Sequence, residues 1–279
     1  MKPRPGINLS LLFMLSASAP AAAQGINTRL ARDERGVMMY DYGGKTGRVY
    51  NPAVAGLEGT KNYYDHQATG NPESRQKFLS TADWFMEHAT DKGSYSLWEY
   101  TFDWPFYKGF DAPYSSALAQ GRGMDLLVKA YDETGNEAYL LQAKKAFGAF
   151  MVDYEEGGVA SNEGDDSIFL QILAKPGAPK TYVLNGHTKS LLLIKEYHEY
   201  TSDYRAMLVF GKGMTWLLEN LPRYDTGAWS YYDLMGTVAA KSYHHGQTKQ
   251  IGQLYDVTGE PLLKKYHSRF LGYESKIGL

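Results

Sequence analysis

The stretch from Leu221 to His245 concentrates side chains that could carry chemistry. Leu221-Pro222 ends the preceding helix because proline cannot continue one, and Asp225-Thr226-Gly227 is a turn signal. Aromatic, acidic and imidazole side chains come next: Trp229, Tyr231, Tyr232, Asp233, Tyr243, His244 and His245. Loops on a rigid scaffold often hold binding and catalytic groups, so we predict a functional loop between two helices. The alternative is an aromatic loop that packs over a helical core.

The composition favours a carbohydrate ligand. The 279 residues include 23 Tyr, 5 Trp and 11 Phe. Aromatic faces pack on sugar rings and tyrosine hydroxyls donate hydrogen bonds, although tyrosine also fills cores. The net charge of -2 gives no electrostatic case for a nucleic acid or for an anionic membrane. The chain has no Cys, which excludes disulfides, a lipoprotein anchor and thiolate chemistry.

The N-terminus has the pattern of a secretory signal. Lys2 and Arg4 precede a short apolar run, Leu9 to Leu15, and Ala21-Ala22-Ala23 is a plausible cleavage site. That run is too short to span a bilayer, and no later run is long enough either. We therefore expect a signal peptide over residues 1–23 and a periplasmic or secreted mature protein without membrane insertion.

Amphipathic helices dominate the chain after Gly70. Apolar residues at helical spacing predict seven of them, over 72–89, 115–131, 136–150, 185–200, 203–221, 247–255 and 261–271. Similar short turns join them, which indicates a helical hairpin repeated at roughly 60 residues. Repeated antiparallel pairs can close into an (α/α) toroid. Gly121 and Gly123, near the start of one helix, indicate close packing or an approach to ligand, since each costs a helix up to about 1 kcal/mol relative to Ala.

The domain organisation follows from this pattern. Residues 24–70 are rich in Gly and Tyr with little periodicity, which predicts an extended, irregular or β-containing segment. No Pro/Ser linker divides the chain after Gly70, so residues 71–279 are predicted to form one mainly α domain, a toroid or barrel of helical hairpins.

Five stretches, in order from about Trp98 to Tyr273, carry a family likeness. They are Ser115–Gly121, Gly157-Gly158-Val159, Tyr182–Gly186, Leu221–Gly227 with Tyr232-Asp233-Leu234, and Tyr243-His244 with Ile251–Leu254 and Arg269-Phe270. Together they resemble the C-terminal domain of D-glucuronyl C5-epimerases, which act on heparosan-type chains. The resemblance implies an (α/α) toroid with its site in the central cleft.

The resemblance also implies which residues line that site. Tyr232 matches the tyrosine of the family's Tyr-Asp-Leu, Tyr243 that of its Tyr-His, and Arg269 its C-terminal arginine. Two departures stand out. Lys189 replaces the tyrosine of the family's Asn-Gly-Phe-x-Tyr motif, and Leu173–Pro176 has no carboxylate where the family has Glu-Glu-Tyr-Pro.

These residues suit proton abstraction at C5 of a uronate. The charge that builds on the substrate carboxylate needs a fixed cation, for which the planar fork of Arg269 is suited. Tyr232 and Tyr243 are the candidate acid and base on the two faces of the ring. A tyrosine base needs a neighbouring cation to lower its pKa from about 10. The candidate cations are Lys189, His187 and His244, and Lys189 is itself a candidate base.

Further side chains of the same stretches are expected to contact the substrate: Asn185, His187, Gln120, Trp229, Tyr231, Trp104 and Arg122. No metal or cofactor is expected, because His244 and His245 are adjacent and no full phosphate-binding motif is present. The expected partner is an acidic polysaccharide, and a homodimer is left open.

Three functions remain open from the sequence. Protonation on the opposite face gives a C5-epimerase, cleavage at C4 gives a β-eliminating lyase, and loss of catalysis leaves an exopolysaccharide-binding protein. A glycoside hydrolase on the same toroid is a weaker fourth alternative, because a hydrolase needs two carboxylates about 5 to 9.5 Å apart and no such pair is recognisable. The matches at Tyr232, Tyr243 and Arg269 favour the epimerase, a sugar isomerase.

Overall fold

The computed structural model describes residues 29–276, so the predicted signal peptide lies outside the described residues. Eight α-helices form four consecutive hairpins within that range. They are α1 (Pro52–Thr69), α2 (Pro72–Glu87), α3 (Ala117–Thr134), α4 (Glu137–Phe147), α5 (Leu184–Thr201), α6 (Tyr204–Asn220), α7 (Lys241–Thr258) and α8 (Pro261–Ser275). None of these helices is long and apolar enough to cross a membrane.

A recurring turn joins the two helices of each hairpin. The first helix ends in left-handed backbone, at Gly70, Gly135, Ser202 and Gly259. Glycine adopts this conformation without a steric penalty. In three hairpins a side-chain oxygen then accepts an N–H from the first turn of the second helix, at Asn71, Asn136 and Asp203. The repeated turn is the physical basis of the repeat read from the sequence.

The four hairpins pack as two layers. Helices α1, α3, α5 and α7 contact one another in that order, and α2, α4, α6 and α8 each pack on their own hairpin partner. This arrangement confirms the predicted (α/α) toroid. The inner helices run parallel: Gly56 of α1 lies against Arg122 of α3, and Gly59 lies against Leu126 one turn later. Their N-terminal turns therefore gather at one end of the toroid.

Close helix packing explains the two glycines of α3. A Cβ at Gly123 would lie 2.6 Å from ring atoms of both Phe85 and Trp98, and one at Gly121 would lie 2.9 Å from Leu193. Real Cβ atoms do not approach other atoms so closely. Both glycines thus serve packing.

The boundary of the predicted N-terminal segment is wrong. Residues 52–69 form α1, an inner helix, rather than extended chain. Its small residues, such as Ala55, Gly56 and Gly59, pack tightly against α2 and α3 and blur the apolar period that a helix normally shows. Only the preceding part is extended, as a three-stranded antiparallel sheet of β1 (Arg29–Arg32), β2 (Met38–Asp41) and β3 (Arg48–Val49).

A second correction concerns α7, which begins at Lys241, so that Tyr243, His244 and His245 lie on its first turns and not on irregular backbone. The remaining strands form two short hairpins, β4 (Thr90–Asp91) with β5 (Ser96–Leu97) and β6 (Ala160–Gly164) with β7 (Ser167–Leu170). The second hairpin carries the polar, acidic residues 161–167 at its turn.

Candidate active site

Two of the predicted tyrosines meet at the end of the toroid where the inner helices begin. Tyr243 lies in the first turn of α7, and Tyr232 lies in the segment before it. Their ring centroids are 4.6 Å apart, with the two ring planes inclined at 55° to each other. The backbone of Tyr232 holds this arrangement, since its carbonyl accepts the N–H of Leu184 at the start of α5. The pair is thereby tied to two inner helices.

Both phenols of this pair are protonated at neutral pH. Burial raises the pKa of Tyr232 and raises that of Tyr243 well above the ordinary value. Smaller effects act the other way: the hydroxyl of Tyr243 stabilises the ionised form of Tyr232, and Arg122 stabilises that of Tyr243. Each phenol of the pair therefore carries a proton that it gives up only to a strong base such as a carbanion, while a base for the other face has to come from elsewhere or from ionisation on substrate binding.

Arg122 of α3 carries a charge that has no counter-ion in the described part of the chain and that acts electrostatically on Tyr243. One of its terminal nitrogens donates to the carbonyl of Ala53 at 2.7 Å, while its Nε is buried and finds no partner within residues 29–276. No carboxylate among residues 29–276 forms an ion pair with it, because the nearby Glu58 pairs with Arg32 and Lys61. Burial lowers the pKa of Arg122 to about 10, so the guanidinium stays charged at neutral pH.

Tyr107 joins the site from a segment in which the sequence showed no signal. Its hydroxyl donates to Oδ2 of Asp233 at 2.6 Å, across 126 residues of sequence. Asp233 is fully buried, and its Oδ1 accepts the N–H groups of Met235 and Thr237, each at 3.0 Å. Burial first, and then the Asp233 carboxylate, raise the pKa of Tyr107.

Among the described residues, Arg269 bonds to Asp225 and Tyr273 rather than to the tyrosine pair. It is on the outer helix α8, where its Nε is 2.6 Å from Oδ2 of Asp225 and donates to the hydroxyl of Tyr273 at 2.7 Å. Asp225 holds it from the turn that follows α6. The structure therefore joins Arg269 to Asp225 and Tyr273, while Arg122 rather than Arg269 acts electrostatically on Tyr243.

The two histidines expected near the substrate are core residues. His187 is fully buried, with Nδ1 accepting the N–H of Leu170 and Nε2 lying 3.0 Å from the carbonyl of Gly213. His244 is also buried, between the hydroxyl of Ser230 at 2.7 Å and the carbonyl of Phe270 at 3.2 Å. Both ring nitrogens are occupied in each case, so neither imidazole is placed to act on a ligand.

The first turns of α5 present two other candidates. The ammonium of Lys189 is 4.0 Å from a carboxylate oxygen of Glu196, two turns along the same helix. The side-chain oxygen of Asn185 is buried and has no hydrogen-bond partner among the described residues. The ammonium of Lys189 is therefore only weakly paired, and the side-chain oxygen of Asn185 is available to accept a hydrogen bond.

The remaining residues that were predicted to contact the substrate are engaged in side-chain packing or in backbone hydrogen bonds. The amide of Gln120 bonds the backbone of Trp98 and Ser96. Trp229 lies 3.6 Å above the ring of His244 and donates to the carbonyl of Ala239. Two others complete the set: Trp104 packs among the aromatic rings of Tyr42 and Phe106, and Tyr231 pairs through its backbone with Val238 and Tyr224.

The buried His187 makes stability depend on pH. Burial lowers its pKa to about 3. The unfolded chain, with a histidine pKa of about 6.5, then binds the extra proton first, so this stabilisation is complete above that value and is lost as pH falls towards 3. The loss by pH 5 is about 2 kcal/mol, from 1.36 kcal/mol per unit.

His187→Gln should flatten this dependence. Urea unfolding at pH 7 and pH 5 measures it: the free energy of unfolding should fall less between the two values in His187→Gln than in the unsubstituted protein. Equal falls would show that His187 is solvated or charged in the folded state.

Comparisons with known proteins agree with this architecture. A family model described as the D-glucuronyl C5-epimerase C-terminus matches residues 77–272. An uncharacterized protein of Methanocaldococcus jannaschii is 28% identical over 215 residues, 72% of this chain and 69% of its own length. The D-glucuronyl C5-epimerase of Caenorhabditis elegans is 28% identical over 222 residues, 70% of this chain and 34% of that enzyme. The chain thus spans about a third of the length of the nematode relative.

A solved structure shows the same fold at lower identity. The cellobiose 2-epimerase of Spirochaeta thermophila DSM 6192 matches with a TM-score of 0.58 over 81% of this chain and 58% of that chain, at 12% identity. That likeness concerns the toroid alone. The family match, in contrast, runs from α2 to α8 and covers most of the chain. The chain therefore belongs to the family of the D-glucuronyl C5-epimerase C-terminal domain, a family of sugar-modifying epimerases.

Proposed function

We propose that this protein is a uronyl C5-epimerase acting on a polymer that contains hexuronic acid. The observation that carries the proposal is Arg122, a guanidinium with a buried Nε and no paired carboxylate among residues 29–276, which stabilises the ionised form of Tyr243 electrostatically. A charge of this kind is costly unless an anion pairs with it. A substrate carboxylate fits this position because guanidinium binds carboxylate at two points.

The chemistry follows from that placement. Removing the C5 proton of a uronate moves negative charge onto the neighbouring carboxyl group. A fixed cation lowers the barrier because it stabilises charge that develops in the transition state. Arg122 supplies this cation, and the tyrosine pair supplies a neutral phenol that returns a proton to C5. Return on the opposite face inverts C5 and gives the other epimer.

Deuterium exchange tests the reaction. The protein is incubated with a heparosan chain in deuterium oxide and followed by NMR and by near-ultraviolet absorbance. We expect deuterium at C5, appearance of the other epimer, and no shortening of the chain. An unsaturated, absorbing sugar with shorter chains would instead identify a lyase. Binding of the chain without exchange would identify a non-catalytic protein, and neither exchange nor binding to several uronate polymers would remove the uronate proposal.

A further inference from the structure

We propose that Tyr107 is the catalytic base for one face of the uronate ring and that Asp233 is the positioning residue that takes up the phenolic proton. This inference rests on the proposed function and adds a residue to it. It supplies the base that the tyrosine pair lacks, because the hydroxyl of Tyr107 is bonded to a carboxylate that can take its proton, whereas no carboxylate in the described part of the chain is hydrogen-bonded to either hydroxyl of the pair.

The geometry that carries the inference is the bond between the two side chains. The hydroxyl of Tyr107 donates to Oδ2 of Asp233 at 2.6 Å, and Asp233 follows Tyr232 in sequence. Tyr107 packs against the same small group of residues as Tyr232 and Tyr243. Three phenols and one carboxylate thus lie together. An acid and a base need only two phenols, so the third phenol, with its carboxylate, calls for a role of its own.

Asp233 divides its two oxygens between two tasks. Oδ1 accepts the N–H groups of Met235 and Thr237 and so shapes the turn after Tyr232. Oδ2 has Tyr107 as its hydrogen-bond partner in the described part of the chain. The turn therefore fixes the carboxylate through one oxygen, and the other oxygen is available to receive a proton.

The proton transfers balance without another reactant. The C5–H bond breaks and its proton passes to the oxygen of Tyr107, while the hydroxyl proton of Tyr107 passes to Oδ2 of Asp233. The electron pair stays on the substrate, delocalised into the carboxylate that Arg122 holds. Tyr232 or Tyr243 then donates a proton to the opposite face of C5. Solvent restores the starting state by taking one proton from Asp233 and giving one to the tyrosine that donated. The reverse reaction runs through the same groups in the opposite order.

If Tyr107 acts on one face of the uronate ring, its loss should slow deuterium exchange from one epimer only. The C5 protons of a glucuronate and an iduronate lie on opposite faces, so each epimer presents its proton to a different base. Tyr107→Phe should slow deuterium entry by about 100-fold or more from one epimer, within the range for a general base. Entry from the other epimer should stay within a factor of about ten, and epimerisation should be lost.

A second variant, Asp233→Asn, tests the proton acceptor alone. Asparagine keeps the Oδ1 acceptor for Met235 and Thr237 but replaces Oδ2 with an NH₂ group, which cannot take the phenolic proton. It should show the same face selectivity as Tyr107→Phe. The matched control is Tyr139→Phe, which removes another phenol-to-carboxylate bond, that from Tyr139 of the outer helix α4 to Asp83. That control should leave exchange from both epimers unchanged.

Exchange is measured by NMR on a heparosan chain and on a chain of the same backbone that contains iduronate, with thermal unfolding of each variant in parallel. A folded Tyr107→Phe protein that exchanges both epimers normally, or slows both equally, would overturn the proposal. A Tyr107→Phe protein that unfolds leaves Asp233→Asn to decide by the same criterion. If the unsubstituted protein exchanges neither epimer, the proposed function fails instead, so the two failures are distinguishable.

Discussion

Arg122→Met should lower the rate of C5 exchange by about 10²- to 10³-fold without lowering the stability of the protein. The expected loss is that for removing one electrostatic group that stabilises transition-state charge. Stability should hold or rise because methionine replaces a charge whose Nε is buried without a partner. The two readouts are the exchange rate in deuterium oxide and the midpoint of thermal unfolding. Falling activity with constant or rising stability separates a binding role from a structural one.

Two other arginines make this test specific. Arg205→Met is the matched control, because Arg205 pairs with Asp203 at the start of α6, and it should keep full exchange activity. Arg269→Met compares the two candidate carboxylate clamps. It should lower stability, since it leaves the largely buried Asp225 carboxylate without its cation. If Arg269→Met rather than Arg122→Met removed exchange in a folded protein, the substrate carboxylate would be assigned to Arg269.

Tyr243→Phe and Tyr232→Phe should each slow epimerisation by about 10²- to 10⁴-fold, the usual range for a general acid or base. Each change removes one oxygen and keeps the ring that packs in the site. The two rings are in contact, with centroids 4.6 Å apart, so the two phenols are expected to act as a unit, and the double variant should lose little more than the worse single variant. Rates are followed by NMR of the epimer ratio, with Tyr139→Phe as the control for a lost phenol elsewhere.

The pH dependence gives a second check on the tyrosine pair. Burial raises the pKa of both phenols above the ordinary value near 10. Ultraviolet titration of the unsubstituted protein should therefore show these tyrosines ionising later than exposed ones. Full activity in the double Phe variant would remove both residues from the reaction and leave the carbohydrate site to be sought at another part of the toroid.

Local sequence was sufficient for the repeat and for the pair of tyrosines. Helical spacing and the recurrent turns predicted seven helices and a toroid, because backbone hydrogen bonds and capping depend on residues a few positions apart. Tyr232 and Tyr243 were found through short motifs that carry the family likeness. Even here α1 was missed, since its small residues pack on two neighbours and hide the apolar period.

Contacts between distant segments were decided only by the tertiary structure. The sequence could not tell that Arg269 would meet Asp225 while Arg122 would have no carboxylate partner in the described part of the chain, because ion pairing depends on which helices become neighbours. The same holds for Tyr107, whose partner Asp233 is 126 residues away. Spacing along the chain determines which side chains one helix or turn presents, but a charge or a phenol becomes reactive through burial and through partners that other elements bring to it.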